Sequence, residues 1–439
     1  MLATIVGRLS GRYELLFSTG LSLAVRLLSA FSAFIASLAL GRQLGAAESG
    51  YYFLAFSLVT FIAGVSRVGL DNTVLRFVGA GFAEQGWASI GAVLRRSLLL
   101  VACTSLAGAL VLYFASAPLA QYVFNKPALA PVLSAMAPGI FGLAVFTILA
   151  MALQGLRRIV LSVTTLNILC NVFLIALLFY WALSTAVDAA RAYSVASLLT
   201  VLFGAGCLWF VLRQLRAVMP DSGSEQIDWR QLFRSCIPLW VVLIMGQLVQ
   251  WSGQFIAGAF VSSEAVAQLA VAQRTALLTS FVLMAVNLVV APRFAAMSKQ
   301  EKFAELEKLA LTSVKLMALF ALPIVAVMLV FPEFLMGLFG EGFSGGAHLL
   351  QILVIGQFVN VLTGSVGYLL TMSGHEKDFR NTVLISGPVA VGLAFALTPV
   401  WGATGSAVAT AVAVATQNLI AVWQVKRRLG FNTLAVWRG

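Results

Sequence analysis

Two arginines stand in or beside long apolar stretches of this sequence, where their chemistry would be the binding of an anion. Arg26 lies in the middle of the run from Leu21 to Leu28, and Arg274 precedes a further apolar run. A charge at the centre of a bilayer costs about 2.5–3.5 kcal/mol on insertion scales. Arg26 therefore faces a cavity or a partner, or its side chain extends to the nearest aqueous surface. For Arg274 the alternatives are an interfacial anchor and a position that lines a cavity.

Amide side chains form a second set of candidates. Gln247, Gln250 and Gln254 recur at the spacing of one helical face, and Asn167 and Asn171 are one turn apart. An amide in apolar surroundings needs a hydrogen-bond partner, which either a neighbouring helix or a polar substrate can supply. Helix packing and substrate contact both stay open for these residues.

A third candidate is the polar segment that holds Arg67, Asp71 and Arg76. Arg67 and Asp71 have the spacing of an ion pair on one helix face, which would neutralise two charges near the membrane. One interpretation is a loop helix held at the membrane interface. The other is a cationic rim or gate that binds an anionic head group at the mouth of a cavity.

Signatures of enzymes are absent from the sequence. It has no P-loop, HExxH, GxSxG or dinucleotide-binding motif, and its two histidines and four cysteines lack metal-ligand spacing. We therefore expect no catalytic residues, no metal site and no cofactor. No Asp or Glu lies deep within an apolar run, which disfavours a proton relay of buried carboxylates and favours an anionic substrate.

The composition shows which elements must position these side chains. Of 439 residues, 61% are apolar and only 10% are charged, against about 25% charged in a soluble domain. This excludes a soluble globule, a disordered chain and a nucleic-acid binder, and leaves a polytopic, all-α membrane protein. The net charge of +12 is explained by the excess of Lys and Arg in cytoplasmic loops.

Runs of about 20 apolar residues predict twelve transmembrane helices. They cover about 15–40, 50–66, 97–116, 130–153, 159–182, 192–213, 236–260, 274–296, 309–331, 349–372, 381–401 and 403–425. With both termini in the cytoplasm, most of the 28 basic residues fall in cytoplasmic segments. Arg274 is one of the few that this topology assigns to an outer loop.

The polar stretch around Pro220 separates six predicted spans from six. Short segments recur in the same order in both halves; for example, Leu75-Arg76-Phe77 returns as Pro292-Arg293-Phe294. Because six is even, the halves are parallel repeats, a six-helix bundle over 1–220 and another over 221–439. Transporters of this build hold the substrate between the bundles and work by alternating access.

Three segments resemble those of a known family. They are the run from Leu40 to Tyr52, with its LG and GxY pattern, the segment from Arg67 to Val78, and the run from Pro399 to Thr410. In this order they are similar to the oligosaccharide/polysaccharide flippases. These form the polysaccharide transporter branch of the superfamily that also contains multidrug-and-toxin extruders and lipid II flippases.

The resemblance implies a V-shaped pair of bundles that moves an undecaprenyl-pyrophosphate-linked oligosaccharide across the bacterial cytoplasmic (inner) membrane for surface polysaccharide biosynthesis. It implies a basic central cavity with Arg26 and Arg274 as the arginines to carry over. Expected partners are the lipid-linked substrate, membrane lipids, and the polymerase and glycosyltransferases of the pathway, with no nucleic acid. An ion-coupled multidrug exporter of the same superfamily is the main alternative, and a membrane glycosyltransferase or polymerase is a third hypothesis from another class.

Overall fold

The computed structural model describes residues 2–181, 183–218 and 229–435, and these residues form helices joined by short turns. Most side chains before residue 31 lie outside the described part. The predicted boundary between 220 and 221 also lies outside it. We refer to the helices before this gap as the N-terminal half and to those after it as the C-terminal half.

Eight α-helices make up the N-terminal half. Their bounds are α1 Leu2–Ser66, α2 Leu70–Ala83, α3 Trp87–Pro118, α4 Leu129–Met136, α5 Pro138–Gly155, α6 Ile159–Val163, α7 Leu169–Trp181 and α8 Ala186–Val218. In the most apolar 18-residue stretch of the candidate span Leu129–Gly155, 78% of the residues are buried, whereas the corresponding share for Trp87–Val123 is 22%. The first therefore forms the centre of this half, and the apolar surface of the second is available to lipid.

Eight further α-helices make up the C-terminal half. Their bounds are α9 Trp229–Phe260, α10 Ser263–Ala276, α11 Ser280–Lys299, α12 Phe303–Val330, α13 Pro332–Gly337, α14 Ala347–Thr363, α15 Val366–Met372 and α16 Glu376–Leu429. A short 3₁₀ turn, Leu277–Thr279, joins α10 to α11. These two helices thus follow one another as a single interrupted rod.

The longest helix of the C-terminal half, α16, is a hairpin. Gly402 has a φ of 58° and a ψ of −137°, a conformation that a glycine adopts without steric cost and that reverses the chain here. Pairs on the two arms confirm the reversal, because they are centred on this residue. Thr398 lies 2.7 Å from Ser406, and the carboxylate of Asp378 accepts hydrogen bonds from the guanidinium of Arg428.

The first helix bends in the same way at Gly45, since the Ser49 hydroxyl donates to the carbonyl oxygen of Leu40 at 3.5 Å. Nine residues of straight helix would span about 13 Å. The described residues contain ten helices long and apolar enough to cross a membrane. With α1 and α16 folded back, these ten match the twelve predicted spans, and the predicted all-α, two-bundle fold is confirmed.

Both bends lie at the same end of the molecule, which we call the hairpin end. Here the two halves meet along a seam. The Arg42 side chain donates to the carbonyl oxygen of Leu338 at 2.7 Å, and Lys126 donates to that of Gly258 at 2.6 Å. Both bonds join a cation of the N-terminal half to a backbone carbonyl of the C-terminal half.

At the opposite end the halves also touch. The indole nitrogen of Trp240 donates to the carbonyl oxygen of Val65 at 2.8 Å, and a Cβ at Gly69 would overlap the carbonyl of Cys236. Between these two contact zones, the second arm of α1 lies against α9 and α10, and this is where polar cavities open.

Candidate functional site

The structure corrects the predicted position of Arg274. The sequence places it at the start of a span and assigns it to an outer loop, but α10 already begins at Ser263, where the Ser262 hydroxyl caps the helix by accepting from the backbone nitrogen of Ala265. Arg274 is thus about 16 Å along the helix, or about half the thickness of the hydrocarbon core. The sequence missed this because the polar residues around Gln268 interrupt the apolar pattern.

The Arg274 guanidinium stacks on aromatic rings of the N-terminal half. Its central carbon lies 4.0 Å from the ring centre of Phe53 and 5.4 Å from that of Phe56. The Nη1 atom is buried, and among the described residues it has no hydrogen-bond partner. Buried polar atoms are normally satisfied. A cation that stacks on ring faces and keeps one unused N–H donor is suited to bind an anion that enters later.

Three neighbouring cavities surround this arginine. The arginine cavity, of about 310 Å³, is lined by Arg274, Tyr52 and Gln250 among others. On the N-terminal side it shares Asn171 and Tyr193 with a cavity of about 590 Å³. On the C-terminal side it shares Gln250 with one of about 650 Å³. The shared residues place the three cavities next to one another, and we call them together the central space.

The N-terminal branch, which we call the asparagine cavity, is lined by Asn167 and Asn171. The Asn171 amide donates to the carbonyl oxygen of Asn167 at 2.8 Å and to the Ser32 hydroxyl at 3.3 Å. The Asn171 side chain is therefore held by the backbone at Asn167 and by the first arm of α1, while both asparagines line the cavity. These hydrogen bonds show the helix contact of Asn171, and its contact with a substrate stays a prediction.

The C-terminal branch, which we call the amide cavity, contains Gln247 and Gln250 from α9. Further amides from α11, α14 and α16 join them, and the sequence analysis missed these residues: Asn287, Gln357, Asn360, Gln417 and Asn418. Gln357 accepts from the Ser280 hydroxyl at 2.8 Å, and Ser386 donates to Gln417 at 3.3 Å.

Gln254 does not line any of the three cavities. It is 2% exposed, and its amide donates to the carbonyl oxygen of Phe53 at 2.9 Å. The predicted substrate contact is replaced here by the packing alternative. This hydrogen bond joins α9 to the second arm of α1, beside the ring on which Arg274 stacks.

Arg67 and Asp71 form the predicted ion pair, with the Arg67 Nε atom 2.9 Å and 3.0 Å from the two carboxylate oxygens. The pair does not lie on one helix face, since Arg67 follows the end of α1 and Asp71 belongs to α2. Val68 and Gly69, with φ of 51° and 73°, form the turn between them. Arg67 also lines the amide cavity, whereas Arg76 is exposed and its guanidinium lies over the Phe77 ring.

Asp71→Asn is expected to lower the free energy of unfolding by about 3 kcal/mol, because each side chain of the pair is only 12% exposed and the change leaves a buried arginine without its counter-charge. Chemical denaturation in mixed micelles measures this. Glu305→Gln, in an exposed pair with Lys302 at 3.6 Å, is the matched control and should cost about 0.5 kcal/mol or less. Equal losses in both variants would contradict the structural role of the buried pair.

The side chain of Arg26 lies outside the described residues, so its predicted place in the cavity stays a prediction. The backbone there belongs to the first arm of α1. Ser29 and Ala33, one and two turns further along the same helix, line the asparagine cavity.

The charge of the central space has one sign. Among the described residues that line the three cavities, the charged side chains are Arg67 and Arg274, and none is acidic. Asp71 compensates Arg67 from outside the lining. The arrangement therefore offers one uncompensated cation, ring faces and many amides, which is suited to an anion attached to a group rich in hydroxyls or amides.

Comparison with protein families gives two matches. The model described as polysaccharide biosynthesis protein matches residues 15–298, and the MatE model matches residues 238–395. The first covers more than half of the chain, including the second arm of α1 and all of α10. No curated protein sequence matches the chain.

Solved structures with the same fold are transporters. A multidrug resistance MATE family transporter of the MOP superfamily, inward-facing, is 16% identical, covers 95% of this chain and 99% of its own, and has a TM-score of 0.73. The lipid II flippase MurJ, inward closed, is 14% identical with coverages of 92% and 87% and a TM-score of 0.71. A MOP superfamily transporter from Pyrococcus furiosus is 16% identical, with coverages of 96% and 95% and a TM-score of 0.61.

Proposed function

The chain belongs to the polysaccharide biosynthesis protein family and is a membrane transporter of the MOP superfamily, and from this premise we propose that it is a flippase for a lipid-linked oligosaccharide. The anionic pyrophosphate of the lipid binds beside Arg274, and the sugars occupy the asparagine and amide cavities. Alternating closure of the two halves then carries this head from one leaflet to the other.

The observation that carries the proposal is the environment of Arg274. Its Nη1 atom is buried without a described hydrogen-bond partner, and none of the described residues that line the cavities is acidic. An arginine presents planar, paired donors that fit phosphate oxygens. An anionic head therefore supplies what the guanidinium lacks, and its binding offsets the cost of keeping this cation in the membrane.

The amide side chains that line these cavities favour a sugar over a purely apolar group as the part of the substrate that binds there. Hydroxyl groups both donate and accept hydrogen bonds, and so do Gln and Asn side chains. The amide and asparagine cavities measure about 650 Å³ and 590 Å³, within the range of about 300–1,000 Å³ typical of ligand sites. The head of a lipid-linked oligosaccharide thus finds partners on both sides of Arg274.

The topology gives the proposed direction. We place the opposite end of the molecule and both termini in the cytoplasm, because the basic loops near Arg157, Lys299 and Lys377 lie at that end. The hairpin end then faces outward from a bacterial inner membrane. The head enters from the cytoplasmic leaflet, where glycosyltransferases of the pathway would build it, and leaves toward a polymerase on the other side.

A multidrug exporter is the competing function within the superfamily, and the match of residues 238–395 to the MatE model favours considering it. Cationic drugs, however, would meet an uncompensated arginine in the central space, and like charges repel. The positive charge of the cavity lining therefore favours the flippase over the multidrug exporter.

The test is transport by the purified protein in proteoliposomes. A fluorescent undecaprenyl-pyrophosphate-linked oligosaccharide is placed in one leaflet, and its exposure to a membrane-impermeant quencher is followed in both leaflets. We expect movement faster than in protein-free vesicles, while a cationic dye such as rhodamine 6G is not transported. Dye transport without movement of the lipid-linked sugar would replace the proposal by the multidrug alternative.

A further inference from the structure

An apolar groove of about 980 Å³ runs along α11 and α12, on the surface of the C-terminal half. On α11 its lining forms one helical stripe, in which Val282, Val286 and Val289 recur every three or four residues. On α12 it runs from Leu309 to Met328, or about 28 Å of helix. The groove is therefore nearly as long as the hydrocarbon core is thick, about 30 Å.

One end of this α11–α12 groove lies beside the central space. Leu278 and Phe281 line both the groove and the arginine cavity. Leu278 is one helical turn from Arg274 on the same interrupted rod. An apolar chain that extends from a group at Arg274 along this rod would pass these two side chains and reach the groove.

The other end of the groove is polar. Arg293 on α11 and Thr312 on α12 belong to its lining, and both are exposed. The stripe between Arg274 and Arg293 is apolar. This order, a cation in the cavity followed by an apolar wall of about 18 Å along α11 from Leu278 to Val290, matches a molecule with one anionic head and one long hydrocarbon chain.

We infer that the α11–α12 groove holds the polyisoprenyl chain of the lipid-linked substrate while its anionic head lies beside Arg274. The inference rests on the proposed function and adds a place for the part of the substrate that the central cavities do not take. The anionic head at Arg274 is the reason why we assign the groove to the lipid-linked substrate and not to a bulk phospholipid. A bulk phospholipid keeps its head at the membrane surface, so its chains reach the groove only from the side.

The groove does not act through the hydrophobic effect alone, because a chain in the bilayer is already in apolar surroundings. The groove instead contributes by fixing the position of the chain. A chain tethered to a bound head samples the nearest wall at a high effective concentration. The chain is thereby directed along one path, and the measurable property is where it lies rather than how strongly it partitions.

The experiment uses the full-length protein in nanodiscs and a pyrophosphate-linked disaccharide whose polyisoprenyl chain carries a diazirine. We expect light to attach the probe to peptides of α11 and α12, and an excess of the unlabelled substrate lipid to prevent it. Val289→Trp fills an exposed position of the groove and should lower this labelling about tenfold. Leu110→Trp, at a similarly exposed position on α3, should leave it unchanged.

Binding of the head is measured separately with the same disaccharide on a single isoprene unit. Both tryptophan variants should bind it like the wild type. If the wild type binds neither probe, the proposed function fails together with the groove. If both probes bind but Val289→Trp is labelled as strongly as the wild type, or if a diazirine phosphatidylglycerol labels the same peptides equally, the groove assignment alone is overturned.

Discussion

Arg274→Ala is expected to slow transport of the lipid-linked oligosaccharide by at least about tenfold. A hydrogen bond to a charged group contributes about 1.5–3 kcal/mol, and each 1.4 kcal/mol is a factor of ten. The variant should fold normally. It loses the ring contacts of the guanidinium with Phe53 and Phe56, but it also removes a buried Nη1 atom that has no hydrogen-bond partner among the described residues. Transport in proteoliposomes, with equal amounts of protein, is the measurement.

Arg274→Lys separates the charge from its geometry. A lysine keeps the charge but lacks the planar, paired donors, so we expect partial transport between that of the wild type and Arg274→Ala. Arg191→Ala, at an exposed arginine of α8, is the matched control and should transport normally. Wild-type transport by Arg274→Ala would remove the arginine from the proposed site.

The second large effect is expected from Gly50→Leu. Gly50 lies in the second arm of α1, and a Cβ there would overlap the backbone carbonyl of Ser263 at the start of α10. Because the obstacle is backbone rather than a flexible side chain, the halves must separate at the hairpin end. Overpacking costs about 1–3 kcal/mol, comparable with the few kcal/mol that separate two conformations of a protein. The variant should therefore populate an outward-open form and transport poorly.

Spin labels on Tyr122 and Glu333, exposed at the hairpin end in the two halves, report this opening after the exposed Cys103 is replaced by serine. The distance between the labels should lengthen in Gly50→Leu. Gly392→Leu is the control, because a Cβ at Gly392 meets nothing within 4 Å. An unchanged label distance in Gly50→Leu would mean that the seam does not set the conformation.

The fold could be predicted from the sequence because a bilayer constrains the backbone strongly. In a bilayer every backbone polar group needs a partner, so long apolar runs become helices. Even the two hairpins are visible, since predicted spans end near Gly45 and at Gly402. The exact placement of Arg274 was not visible, because α10 begins with a polar turn around Glu264 and Gln268 that a search for apolar runs excludes.

The amides of the site were predicted only where they recur on one helix. Gln247 and Gln250 follow a helical period and line the amide cavity, whereas Gln254 follows the same period but donates to the backbone of Phe53. Asn287 and Gln357 come from separate helices and meet only after folding. Side chains that converge from distant parts of the chain leave no local pattern, so their meeting is information that the tertiary structure adds.

The absence of acidic side chains among the described lining of the central cavities has an electrical consequence. On the proposed orientation, the cytoplasm is the negative side of the membrane, and an anion that leaves it moves down the voltage. This contributes about 2.3 kcal/mol per elementary charge per 100 mV. On the proposed function, the charge of the pyrophosphate itself would thus let the resting membrane potential contribute to its export.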